Sequence, residues 1–168
     1  MRTLVTTLGA ALVVAVALVA PAAGSPAAST NKDIAQIAAS SPQFTTLVSL
    51  LKKAGLVGAL EKGTYTVFAP TNAAFAKLPK STLAAVGKNP ALLKKVLTYH
   101  VVKGKAPAAK VVTLDGKSVK TLEGQGVKIN VRGGKVYLNG STQVTKTDVM
   151  ASNGIIHVIN TVLIPPNL

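Results

Sequence analysis

Few side chains in this sequence could do acid–base, nucleophilic or metal chemistry. The 168 residues include two histidines, five Asp or Glu residues and no cysteine. The absence of cysteine excludes disulfides, thiolate zinc sites, iron–sulfur clusters and cysteine nucleophiles. His100 and His157 lie far apart in the sequence, and neither has a carboxylate as a close neighbour. The residue types therefore predict no catalytic residue, no bound metal and no cofactor.

A hydrolase is the enzymatic interpretation that stays open, because serine and threonine are abundant and histidine is present. Serine hydrolases usually expose their nucleophile on a Gly-x-Ser-x-Gly elbow and support it with an ordered triad. The sequence contains neither feature. We therefore expect a protein that is not an enzyme.

The two histidines have different sequence surroundings. His157 lies among aliphatic residues, which favours a buried histidine bonded to the backbone over a ligand or a general base. His100 follows Tyr99 at the junction between a predicted helix and a predicted strand, where a polar surface edge is natural. We interpret His157 as structural and His100 as a candidate contact.

The N-terminus has the pattern of a secretory signal. Arg2 precedes an uncharged run over Leu8–Ala20, and small residues with an Ala-x-Ala-like site at 20–22 follow it. This run of 13 residues is shorter than the about 18 that a membrane span needs. We predict a signal peptide over residues 1–24, a short polar leader over 25–30, and a secreted protein, extracellular or periplasmic, with no span left after cleavage. An uncleaved N-terminal anchor is the alternative.

Positive charge dominates the chain, with 19 Lys or Arg residues and a net charge of +14. Loss of Arg2 with the signal peptide would leave +13, carried almost wholly by lysine. Nucleic-acid readers usually add arginine forks and stacking aromatics, which are scarce here, so no nucleic-acid partner is predicted. Acidic polysaccharide or another anionic surface fits better, and a charge that only maintains solubility is the alternative. Several lysines form visible pairs: Lys52 with Lys53, Lys94 with Lys95, and Lys103 with Lys105.

The hydrophobic pattern predicts an α+β domain. Helical spacing dominates up to residue 97, and an alternating pattern with Asn-Gly, Asp-Gly and Gly-Gly turns follows it. The predicted helices are Lys32–Ala39 with Asn31 as N-cap, a stripe from Phe44 to Leu51 ended by Gly55, Leu56–Glu61, Thr71–Lys77, Ser81–Val86 and Pro90–Leu97. The predicted strands are Thr64–Ala69, Tyr99–Val102, Val111–Leu114, Ser118–Leu122, Val127–Val131, Lys135–Leu138, Gln143–Thr145 and Gly154–Ile164.

Three segments resemble the fasciclin domain family. TVFAPTNAAF at 66–75 is similar to its first signature box, NGIIHVINTVLIPP at 153–166 is similar to the second, and LTYHVV at 97–102 lies between them like its Tyr-His segment. The box residues that we regard as structural are Phe68, Pro70, Thr71, Asn72, Phe75, Asn153, Gly154 and His157. The resemblance spans residues 31–166, which leaves 167–168 as a C-terminal end.

The resemblance implies a fold and a function. The implied fold is a wedge of two β-sheets with a layer of short helices, and the implied function is a secreted cell-adhesion module whose partner is a cell-surface or matrix protein. Tyr99 and His100 are the first candidate contacts, and Asp148, Val149 and Met150 are the second. Both groups also have a purely structural interpretation: the boxes as folding determinants, and Asp148 as a hydrogen-bonding residue of the turn that leads to Asn153.

Overall fold

The computed structural model describes residues 32–168, so the predicted signal peptide, the leader and the Asn31 cap lie outside the described residues. The helices in this range are α1 (Ile34–Ser40), α2 (Thr45–Lys53), α3 (Val57–Glu61), α4 (Asn72–Ala76), α5 (Lys80–Lys88), α6 (Pro90–Tyr99) and α7 (Ala108–Val112), with a 3-10 turn at Pro42–Phe44. The strands are β1 (Tyr65–Pro70), β2 (Val101–Lys103), β3 (Ser118–Lys120), β4 (Gly126–Arg132), β5 (Lys135–Leu138), β6 (Thr142–Ala151) and β7 (Gly154–Ile159).

The strands form one hydrogen-bonded series in the order β2-β1-β7-β6-β5-β4-β3. Strand β6 pairs with β7 along most of its length and with β5 only at Thr142 and Gln143. It therefore joins the two halves of the sheet, which is one continuous series where two separate sheets were expected. A bridge between Val102 and Thr121 brings the ends of the series together, so the sheet nearly closes into a barrel. The α+β class predicted from the sequence is confirmed.

The centre of the fold is the parallel pair β1–β7, in which Tyr65 lies opposite Gly154. Every residue of β7 is buried, and so is every residue of β1 after Tyr65. Side chains on one face of the pair pack with the helices, including Val67 and Ile156. Side chains on the other face, including Phe68 and Ile159, pack with β4, β5 and α7. The pair thus separates two hydrophobic cores.

Capping residues determine where the short helices begin. Asp33 accepts the amide of Gln36 at 2.8 Å, and the Gln36 side chain accepts the amide of Asp33, which completes a capping box at α1. Thr71 accepts the amide of Ala74 at 3.2 Å, and Asn89 accepts two amides in the first turn of α6. The N-caps at Thr71 and Asn89 agree with the sequence pattern.

Several element boundaries differ from the prediction. The strand predicted at Val111–Leu114 is wrong, because Pro107 starts α7 there and Val111 packs into the second core. The strand predicted from Tyr99 starts later, since Tyr99 is the last residue of α6. Strand β6 runs over ten residues instead of the three predicted, and β7 ends at Ile159.

Gly154 serves a purpose that the sequence did not predict. The Asn-Gly pair suggested a positive φ at this turn, but neither Asn153 nor Gly154 has one. A Cβ at Gly154 would instead overlap the carbonyl oxygen of Tyr65 and lie 2.7 Å from Cδ1 of Ile34. Glycine is required here because the backbone of β1 passes directly over this position.

Gly154→Ala is expected to lower the free energy of unfolding by about 3 kcal/mol or more, because β1 would have to move away from β7. Gly58→Ala is the matched control: Gly58 lies in α3 with open space around its Cα. That change should raise stability by about 0.5–1 kcal/mol. Urea unfolding of both variants measures the difference. A Gly154→Ala protein within about 1 kcal/mol of the parent would contradict the close-approach argument.

Candidate functional site

The Tyr99 side chain lies in the second core, with only 1% of its surface exposed. Its hydroxyl donates to the carbonyl of Gly126 at 3.3 Å and accepts from the Asn139 side-chain amide at 3.0 Å. Asn139 also accepts the amide of Lys128 at 3.0 Å. Tyr99 therefore connects the end of α6 to the start of β4 and to the residue that follows β5, at the open end of this hairpin.

His100 is equally enclosed, with 2% of its surface exposed. Nδ1 lies 2.7 Å from the carbonyl of Val96, and Nε2 lies 2.9 Å from the amide nitrogen of Leu163. A carbonyl can only accept and an amide can only donate, so the ring is a neutral tautomer with its proton on Nδ1. Burial lowers the pKa of His100 to about 4, with the Val96 hydrogen bond opposing the shift.

The exposed Tyr99–His100 contact expected from the sequence is wrong. Helix α6 runs two residues further than predicted, and Val96, Leu97 and Tyr99 are all buried. His100 then holds the C-terminal segment against the helix through Leu163. In this fold both side chains position other elements and neither presents a surface to a partner.

Asp148, by contrast, lies on the surface of a distorted part of β6. The β6–β7 register shifts between Lys146 and Val149, and Asp148 has a φ of 54°, a left-handed conformation that Asp tolerates better than most residues. Its carboxylate accepts the amide of Ala108 at 2.8 Å, at the start of α7. Val149 is half-buried against the helical core, and Met150 is 55% exposed.

His157 lies directly behind this bulge. Nε2 donates to the carbonyl of Ala106 at 2.8 Å, and Nδ1 accepts the amide of Asp148 at 3.4 Å. The ring stacks on Phe68 with centroids 5.7 Å apart. Burial lowers the pKa of His157, and the Ala106 hydrogen bond and the charge of Asp148 oppose the shift. The neutral ring thus holds both the bulge and the segment before α7 in place.

The remaining box residues connect distant elements. The Asn72 side chain accepts the amide of Thr46 and donates to the carbonyl of Pro42. The Asn153 side chain accepts the amide of Ile34 and donates to the carbonyl of Leu60. Phe75 is buried in the helical core, and Pro70 is the last residue of β1.

The arrangement offers little to acid–base or metal chemistry. The ring nitrogens of both histidines face backbone groups, so neither ring directs a free lone pair at solvent. Within residues 32–168, no group of three His, Cys, Asp or Glu side chains is placed to hold a metal ion. In the same range, no helix has the length and apolar character needed to cross a bilayer.

Sequence reasoning missed some polar residues that hold these segments. Thr66 donates to the carbonyl of Gly104 at 2.7 Å and accepts the amide of Ala106 at 2.8 Å, which fixes the loop between β2 and α7. Asn139 was recognised only as part of an Asn-Gly turn. The signal for Thr66 was a polar residue in an otherwise apolar strand, and Asn139 gave none beyond its turn.

Comparison with known proteins identifies the domain. A sequence model of the fasciclin domain matches residues 42–165. Protein sll1483 of Synechocystis sp. is 47% identical over 136 residues, which cover 79% of this chain and 73% of that protein. The cell surface glycolipoprotein MPB83 of Mycobacterium bovis is 36% identical over 148 residues, 85% of this chain and 65% of that protein.

A solved structure shows the same fold. It is a FAS1 domain pair from the insect cell adhesion molecule fasciclin I, with a TM-score of 0.66 and 18% identity. The match covers 81% of this chain and 52% of that chain. At this identity the likeness concerns the fold alone.

The free energy of unfolding should decrease as the pH is lowered, because His100 is buried in its neutral form. Its folded-state pKa of about 4 lies below the value of 6.5 for a free histidine, so the unfolded chain binds the proton first as pH falls. The contribution is complete above about pH 6.5 and is lost between there and about 4, with about 2 kcal/mol gone by pH 5. Burial of His157 adds a loss of the same sign.

Urea unfolding at pH 7.5, 6 and 5 measures this loss. Nitrogen NMR of the His100 ring provides an independent check, since Nδ1 should remain protonated and Nε2 unprotonated at pH 5.5. A His100 ring that titrates near pH 6.5 would contradict the buried neutral assignment.

Proposed function

The chain belongs to the fasciclin domain family, and from that membership we propose that it is a secreted, non-catalytic adhesion module that contacts its partner through Asp148, Val149 and Met150. The observation that carries the proposal is the exposed bulge in β6. It presents a carboxylate and a large apolar side chain two residues apart, on a segment that Ala108 and His157 hold by hydrogen bonds to Asp148.

Export is supported by the N-terminal sequence, which has the order of a secretory signal. The name of a similar protein agrees, since that protein is a cell surface glycolipoprotein. The partner is then a molecule of a cell surface or of an extracellular matrix.

Rigidity of the bulge supports its use as a contact. Asp148 is held through its carboxylate by Ala108 and through its amide by His157. Since these bonds fix the backbone before binding, a partner would meet an ordered segment and binding would lose little conformational entropy. The Asp148 carboxylate has further acceptor sites besides the one that Ala108 uses, and these can accept a hydrogen bond from the partner.

Binding of acidic polysaccharide is the second candidate function, and the use of the acids supports it. Four of the five acidic side chains accept a backbone amide: Asp33 from Gln36, Asp115 from Val131, Glu123 from Gln125 and Asp148 from Ala108. The positions of these four carboxylates are therefore determined by the turns and helix starts whose amides they accept. With 19 Lys or Arg residues against five acids, the surface keeps a large uncompensated positive charge.

The double change Asp148→Asn with Met150→Gln should weaken binding to intact cells and to an immobilised extracellular-matrix preparation by about tenfold. Asn keeps the amide acceptor and tolerates the positive φ, so the charge and the apolar contact are lost while the backbone stays in place. Val149 is left unchanged because it is half-buried. Surface binding of the labelled chain is the measurement.

Glu61→Gln with Leu168→Gln is the matched control, since it removes one exposed acid and one exposed apolar side chain elsewhere. Tyr99→Phe should cost about 1 kcal/mol of stability through its lost hydroxyl and leave binding unchanged. Parent-like binding by the Asp148–Met150 variant would overturn the contact, and weaker binding by Tyr99→Phe would restore Tyr99 as a candidate.

A further inference from the structure

We propose that the outer face of strands β3 to β6 is a binding surface for an acidic polysaccharide. This basic face consists of the outward side chains Ser118, Lys120, Lys128, Asn130, Arg132, Lys135, Tyr137 and Gln143. The inference rests on the second proposed function and gives it a place in the fold. It is separate from the Asp148–Met150 contact.

Alternation along the strands defines this face. Val119, Val127, Ile129, Val131, Val136, Leu138 and Val144 all belong to or pack against the second core. Their neighbours in sequence must point the opposite way, because successive side chains of a strand alternate between the two sides of a sheet. The four basic residues of the face are all exposed.

Strand register places the outward residues in rows. Ser118 lies opposite Lys128, and Arg132 lies opposite Lys135. Between these two rows, Asn130 lies opposite Tyr137, which lies opposite Gln143. Rows two residues apart are about 6.8 Å apart, so the row of Lys128 and the row of Arg132 flank the middle row at that distance.

The middle row has the chemistry of a sugar site. Tyr137 is half-buried, yet it belongs to neither core, so its ring lies on the outer side of the sheet. An aromatic ring gives a flat apolar surface on which the apolar side of a sugar ring can stack. Asn130 and Gln143 on either side supply amide donors and acceptors for hydroxyl groups.

The flanking rows supply positive charge at a cost to the free protein. Arg132 and Lys135 are directly opposite each other next to the Gly133-Gly134 turn, and like charges in this position destabilise an antiparallel pair. Asp115, in the turn before β3, accepts the amide of Val131 through its carboxylate. A carboxylate of a bound polymer would relieve the repulsion between the two cations.

A carboxylated polysaccharide fits the face better than nucleic acid does. The face has one arginine and one aromatic ring, whereas nucleic-acid surfaces rely on arginine forks and several stacking rings. Basic residues around a polar row with a single aromatic ring fit a polysaccharide in which each sugar ring carries one carboxylate.

The proposal is tested by isothermal titration calorimetry of the purified full-length chain with polygalacturonate, at low salt and at about 0.15 M salt. The face variant carries Lys120→Gln, Lys128→Gln, Arg132→Gln and Lys135→Gln. The control variant carries Lys52→Gln, Lys62→Gln, Lys94→Gln and Lys95→Gln, which remove the same charge from exposed positions on or next to helices. Urea unfolding checks that each variant is folded.

We expect the face variant to bind about tenfold more weakly or worse, with a shallower salt dependence, and the control to change by less than about threefold. Tyr137→Ala should weaken binding several-fold at unchanged charge, while Tyr137→Phe should bind like the parent. Lys135→Glu should raise the urea midpoint of the free protein, because it replaces the cross-strand repulsion with an attraction. It should also weaken binding, because it puts a negative charge on the face.

The outcomes separate the inference from the function on which it rests. Equal weakening of the face and control variants would overturn the basic face and leave charge-driven attraction standing. Absence of polygalacturonate binding by the parent chain would overturn both. Binding to double-stranded DNA as tight as to polygalacturonate, with the same response to the face variant, would overturn the choice of a polysaccharide.

Discussion

The parallel pairing of β1 with β7 is the constraint on which the rest of the structure depends. Two adjacent strands buried on both faces need apolar side chains at nearly every position, and the close backbone contact at Tyr65 leaves room only for glycine at 154. Polar groups within the pair must be satisfied internally, so Thr66 and His157 each bond to the β2–α7 loop. The signature segments are therefore two halves of one interface.

The few acidic residues of the chain also serve to satisfy backbone groups. Short helices and tight turns leave backbone amides without partners, and a carboxylate is an effective acceptor for them. Four of the five acids are used in this way, and asparagines at 72, 89, 139, 153 and 160 serve other backbone groups. Neutral asparagine does this work without offsetting the lysines. The polar groups that stabilise the fold thus leave the surface strongly positive.

Local signals in the sequence were enough for much of the fold and for little of the site. Features that depend on neighbouring residues were predictable. They are the caps at Thr71 and Asn89, the Gly133-Gly134 and Asn139-Gly140 turns, and the buried run of β7. Helix α7 was not predictable, since Val111 and Val112 favour a strand and its N-cap residue, Pro107, makes no side-chain hydrogen bond to the first turn. Burial of Tyr99 and His100, the bulge at Asp148 and the rows of the basic face depend on partners far away in the sequence. Only the strand register brings them together.

Buried and outward side chains of this domain differ in how freely they can be exchanged. A buried side chain such as His100 cannot be exchanged freely, because its two ring nitrogens serve one carbonyl and one amide. Outward side chains of the sheet, such as half-buried Tyr137 and exposed Lys128, belong to neither core, so they can be exchanged without disturbing core packing. The outward residues of the β6 bulge and of the basic face can therefore change while the buried segments stay the same. A family defined by its buried boxes can in this way share one fold across proteins that bind different surfaces.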